Sequence, residues 1–187
     1  QAVHAHLLHP RHSGISREYS RGEPLETEAY ALFAHILAAK THTGALHFFD
    51  TVSANNLPST QASLLQVPLA PEPSELSDVT IKGIFSDVNE RLGTDIQALR
   101  VLGAHATDTV AVMLGAETTK LSAYVPIVSL HLVRPLSARC LVDSIPTSVK
   151  RVAVLEHSSK RTTRLPPVLV DVASAFQLVS DRQVPVL

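Results

Sequence analysis

The sequence predicts an α/β fold, a short, mostly parallel sheet with helices on both faces, and three observations carry that reading. Runs rich in Val, Ile and Leu at Thr109–Leu114, Ile127–Val133 and Arg151–Leu155 alternate with segments of helical period, the pattern of strands joined by helical crossovers. An apolar content of 45% over 187 residues is enough to fill a core. Val125–Glu156 also reads as one complete strand, turn, helix and strand. Arg134-Pro135 breaks its first strand, Ser137 is placed to cap a helix whose Leu141, Val142 and Ile145 share a face, Pro146 stops that helix, and Arg151–Leu155 follows as a buried parallel strand.

The elements follow in order. The chain opens on Gln1 and reads as a segment of a longer protein, and its first twenty or so residues keep neither a helical nor a strand period. A helix is predicted over Pro24–Lys40, with Leu25, Ala29, Leu32, Phe33, Ile36 and Leu37 on one face, Pro24 in its first turn and Gly44 just beyond its end. Ala45–Phe49 follows as a strand. The Ser-, Asn- and Pro-rich stretch after Asp50 is a linker, giving predicted boundaries of 1–56 for a first-domain remnant, 57–76 for the linker and 77–187 for an α/β domain. A second helix is expected over Asp78–Leu92, with Ser77 as cap, an Ile81, Ile84, Phe85, Val88, Leu92 stripe, and Gly93 at its carboxyl end. The crossover from Leu114 to Ile127, GAETTKLSAYVP, has room for only about two helical turns. In the tail, Val168–Val172 suits a strand, whereas Pro167 with Val172, Ala175, Phe176 and Val179 suits a helix.

Charge and composition exclude several classes. A net charge of -1 with no Lys/Arg-rich run gives no electrostatic reason to bind nucleic acid or an anionic membrane. No apolar run approaches the ~18 residues of a membrane span, and no secretory leader is recognised, so a reducing, cytoplasmic setting is expected. The lone Cys140 falls on the apolar side of its short helix and reads as a buried structural thiol. No G-x-G-x-x-G, P-loop or G-x-S-x-G occurs, so dinucleotide, NTP and esterase chemistry lack their local geometry.

The residues that invite a sharper reading are few. His4, His6, His9 and His12 have the spacing of imidazole ligands, but Pro10 disrupts a shared helix, and adventitious binding is the better reading than a resident metal. Arg17-Glu18-Tyr19-Ser20 matches a short flavin-binding signature of reductases, yet the flanking Gly14 and Arg21-Gly22-Glu23-Pro24 favour a solvated loop. Asp50, with His47 in the strand before it, lies at a strand's carboxyl end, where ligands of open α/β sheets gather. Arg134 closes a strand and has the fork to hold a carboxylate or phosphate, although stacking or pairing within the protein is the simpler role. Glu156, His157 and Ser158 sit in a row on extended chain, where neighbours point to opposite sides, so they make no triad. Asp50, Arg134 and Glu156 are kept as interface or ligand-proximal candidates, with no catalytic, cofactor-binding or metal residue assigned.

Four segments in the right order resemble a known family. Glu28–Asp50 is similar to the end of the first domain of pyruvate:ferredoxin oxidoreductases, and Val88–Gly115, with Asn89 four residues before Gly93, to the entry of their second domain. Val125–Glu156 and the tail to Phe176 resemble that second domain itself, a module also found in the amino-terminal region of fungal-type NADPH-sulfite reductase flavoproteins. The resemblance implies a Rossmann-like fold of the transketolase carboxy-terminal type for 77–187, and a helix in the tail. Two departures stand out: Glu156 is followed by HSSKRTTRLPP instead of Asp-Arg-Thr-Lys-Glu-Pro-Gly, and Thr51 replaces a glycine. No acidic Mg²⁺ motif, thiamin carboxylate or cysteine cluster is present. The Lys160–Thr163 run is closer to the sulfite reductase version. The resemblance thus implies a noncatalytic accessory domain of the flavoprotein component of an assimilatory NADPH-sulfite reductase. Such a parent carries FAD and FMN and uses NADPH, with its other domains and a sirohaem subunit as partners. The alternatives are a fragment of a thiamin diphosphate-dependent 2-oxoacid:ferredoxin oxidoreductase and a stand-alone degenerate domain with a binding or structural role.

Overall fold

The computed structural model describes residues 15–19, 24–48, 67–103, 107–114, 121–156, 166–179 and 184–187. Among them run β1 (Ile15–Tyr19), α1 (Pro24–Thr41), β2 (Gly44–Phe48), α2 (Asp78–Leu92), β3 (Leu99–Leu102), β4 (Thr109–Met113), β5 (Ile127–Leu130), β6 (Leu132–Arg134), α3 (Ala138–Ser144), β7 (Arg151–Leu155) and α4 (Pro167–Leu178). The class is α/β. The elements divide into two units: Gly14–Ala98 with His131–Pro135 form the first, and Leu99–Leu130 with Leu136–Leu187 belong to the second. In the first unit α2 shares a core with α1, and β6 joins the sheet.

In the first unit the sheet order is β2-β1-β6. β1 pairs parallel with β2 and antiparallel with β6, so β1, α1 and β2 make a βαβ unit. The sequence favours a loop around Arg17–Tyr19; the backbone there is a strand, because pairing on both sides supplies what a polar pentapeptide's pattern does not signal. α1 is buried on most sides, and its Phe33 ring stacks on Phe85 of α2 with centroids 4.1 Å apart. Leu25 lies outside this core at 50% exposure, although the helical stripe included it. The left-handed residue after α1 is His42 (φ 54), two residues earlier than the glycine the sequence offered, and its N–H reaches Ala38 O at 2.9 Å. The orphan carbonyls of Ala39 and Lys40 accept from Ala70 N and Ser74 N, tying segment 67–76 to the end of α1.

α2 forms as predicted. Ser77 Oγ accepts from Thr80 N at 3.3 Å, Gly93 takes the left-handed conformation, and Ile81, Ile84, Phe85 and Val88 are buried. Asn89 then shapes the exit: its Oδ1 accepts from Ile96 N (2.8 Å) and Thr94 Oγ1 (2.9 Å), and its Nδ2 donates to Ile96 O (3.0 Å).

The second unit holds a four-stranded sheet ordered β3-β5-β4-β7. β4 is parallel to β5 and β7, while β3, which the sequence reading did not foresee, pairs antiparallel with β5. The predicted strand–helix–strand unit is present as β5, α3 and β7, but β4 lies between its two strands. Period-two alternation divides the faces. Val110, Val112, Val128 and Leu130 pack with Leu141 of α3 and with Val172 and Phe176 of α4, while Ala111, Met113 and Ile127 turn the other way toward Leu121 and Val125. The tail is helical at α4. Beyond it Val186 bridges Val152, so the last residues cover the edge of β7. Cys140 is half-buried, not enclosed as expected, because the buried positions of α3 are Leu141 and Val142.

Gly103 leaves β3 at φ +81, and a Cβ there would lie 2.6 Å from Ser122 O, so only glycine fits. The expected single strand Ile127–Val133 is broken at His131. Its N–H and that of Leu132 both donate to Ala98 O, at 3.0 and 2.8 Å, and the chain leaves one sheet for the other.

Candidate functional site

In an open α/β sheet the crevice for ligands lies where successive connections depart to opposite sides, outside the carboxyl ends of the strands. In the second unit that point is between β4 and β7, because the chain passes from β4 to β5 on one side and later places β7 on the other. Leu114 follows β4 there, and Glu156 follows β7.

Glu156 faces the start of α4, where its Oε2 accepts from Val168 N at 2.9 Å and the Leu169 N–H also reaches the carboxylate. Pro166 at the cap position gives no side-chain bond, and Pro167 in the first turn has no N–H to offer. Val170 N completes the turn by donating to Pro166 O at 3.1 Å. Every first-turn amide of α4 is therefore either absent or already engaged within the chain, and the chain's own carboxylate takes the place at which helix N-termini receive phosphates. Burial pushes the Glu156 carboxyl upward and the nearby Asp171 charge adds to this, while the two backbone bonds pull against them.

Of the other two candidates, one belongs to the first unit and one lies outside the described residues. Arg134 ends β6 in the first unit, half-buried, with Nη1 donating to Val133 O at 2.8 Å. It closes a strand that is antiparallel to β1, so the ligand-edge argument for parallel strands does not apply to it. Asp50 lies outside the described residues, as do His157, Ser158, Gly115, Lys160–Thr163 and the histidines at 4, 6, 9 and 12.

The first unit holds a second polar feature that sequence reasoning missed. Tyr30 stacks on His131 (5.2 Å, 8°), lies 6.4 Å from the His47 ring, and donates its hydroxyl to Gln97 O at 2.8 Å. His131 is buried inside an apolar run, and burial holds the His47 imidazole down at about 4. His47 is singled out by its strand, and for His131 the signal is a histidine inside the apolar run IVSLHLV. Among the described residues, no three His, Cys, Asp or Glu side chains gather as a metal site, and no helix is long and apolar enough to cross a membrane.

No family model matches the chain. It is 28% identical over 193 residues to "Sulfite reductase [NADPH] subunit beta" of Schizosaccharomyces pombe, a match covering 87% of this chain and 13% of that protein. It is 25% identical over 120 residues to "Pyruvate dehydrogenase [NADP(+)], mitochondrial" of Euglena gracilis, covering 59% of this chain and 7% of that protein. The chain thus spans only a small part of the length of the curated relatives it matches. Both are oxidoreductases by name, and the chain is distantly related to oxidoreductase polypeptides.

Proposed function

We propose that this segment is a noncatalytic accessory domain of an NADPH-sulfite reductase. The sulfite reductase similarity runs along most of the chain, whereas the pyruvate dehydrogenase similarity covers little more than half of it. The observation that carries the noncatalytic part is the full engagement of the α4 amino terminus. The crevice at which an α/β sheet would seat a cofactor phosphate contains a helix whose N–H groups are held by Glu156 and Pro166. A domain used this way contributes architecture and docking surface, and leaves electron transfer to flavin and sirohaem groups elsewhere in the parent enzyme. The resemblance points to the flavoprotein component, whereas the matched relative is named subunit beta, so the similarity supports the enzyme and not that one component.

The test uses the full-length parent. Sulfite-dependent oxidation of NADPH to give sulfide, with flavin or sirohaem absorbance in the complex, is the expected result. Oxidation of pyruvate that requires thiamin diphosphate and coenzyme A would overturn the assignment and place the chain in the 2-oxoacid family, the reading that the second similarity favours.

A further inference from the structure

We infer that the amino-terminal segment of the first unit, β1-α1-β2, is a docked piece whose binding surface is built by residues 67–98 and 132–134, and that this interaction does not require a covalent connection between residues 48 and 67. α1 buries Tyr30, Phe33, Ile36 and Leu37, and the buried apolar residues clustered with them from other elements are Ile81, Ile84, Phe85, Val88, Ile96 and Leu132. All six lie on the carboxyl side of the linker. β1 is paired on one side by β2 and on the other by β6, a strand from residues 132–134, so its three-stranded sheet is incomplete without that distant piece. The carboxyl end of α1 is closed by Ala70 and Ser74 N–H groups, and His42 Nε2 bonds Ala70 O at 2.8 Å. A helix buried on most sides loses its reason to be ordered when its neighbours are taken away. The partner this surface fits is therefore the chain's own strand–helix–strand segment, with the Phe33–Phe85 stack at the centre. The inference does not depend on the sulfite reductase assignment.

The experiment places a protease site between Thr60 and Gln61 of the full chain, cleaves the folded protein, and follows the two pieces by gel filtration and far-ultraviolet circular dichroism. The expected result is co-elution as a one-to-one pair with unchanged helical signal. Phe85→Ala should weaken the cleaved pair by about a hundredfold or more, while Arg91→Ala, which removes an exposed ion pair on α2, leaves it unchanged. If the uncut Phe85→Ala chain does not fold, Phe85→Leu takes its place, with a smaller loss of the same sign. Separation of the wild-type pieces after cleavage would overturn the inference. So would independent refolding of the amino-terminal piece to full helicity, or a cleaved Phe85 variant that holds as tightly as wild type.

Discussion

The two units solve the same packing problem with different materials. The second is a sheet core made chiefly of valine and leucine, with Phe176 as its aromatic member, whereas the first is organised around Tyr30, Phe33 and Phe85, with His47 and His131 against the tyrosine. Aliphatic cores draw stability from many small, interchangeable contacts, and aromatic ones concentrate it in a few rings of fixed geometry. The first unit should therefore be the more brittle under single substitutions and the more sensitive to acid.

The largest expected effect lies at the ring stack. Phe85→Ala should cost about 3–5 kcal/mol in chemical denaturation, the usual range for a buried phenylalanine, whereas Val112→Ile in the second unit should cost less than about 3 kcal/mol as an overpacking change. Equal losses from both would remove the contrast. Next comes a backbone position in the second unit: Gly103→Ala meets Ser122 O and an unfavourable φ, for a loss of about 1–3 kcal/mol by the same assay.

His47 and Glu156 give stability opposite dependences on pH. The folded His47 value of about 4 lies below the ordinary 6.5, so the unfolded chain takes up the proton first. Stability from the neutral imidazole is fully present above pH 6.5 and is lost as pH falls from 6.5 to about 4. Glu156 works the other way: its folded value is raised above 4.5, so its contribution declines as pH rises from 4.5 through that folded value. His47→Gln should flatten the acid limb of the stability profile, and an unchanged limb would show that His47 does not govern it. The smallest effect is at the α4 cap, where Glu156→Ala should cost about 0.5–2 kcal/mol, as for other lost caps, while Glu156→Gln, which keeps an acceptor oxygen, should cost less.

The same contrast explains what the sequence made legible. Thr109–Met113 and Arg151–Leu155 are read easily because β-branched residues bounded by polar ones have few alternatives. α2 is legible for its cap, stripe and terminal glycine together. ISREY shows no such pattern, since its strand state comes from pairing with β2 and with a segment more than a hundred residues later. The break at His131 is likewise set by Ala98 O, a partner that no local window contains. Glu156 could be singled out by its place after a strand, but its capping role depends on Val168, twelve residues away in α4, where Pro166 at the cap and Pro167 in the first turn leave the helix end without a cap of its own.

The most direct test of the central claim is a Glu156→Gln substitution in the full-length parent, with sulfite-dependent NADPH oxidation measured per mole of bound flavin or sirohaem. A noncatalytic accessory domain predicts a kcat and a sulfite KM within about twofold of wild type, a change of only about 0.4 kcal/mol in the barrier. A loss of about a hundredfold or more in kcat, with the protein folded and its prosthetic groups bound, would contradict the account and place Glu156 in the chemistry.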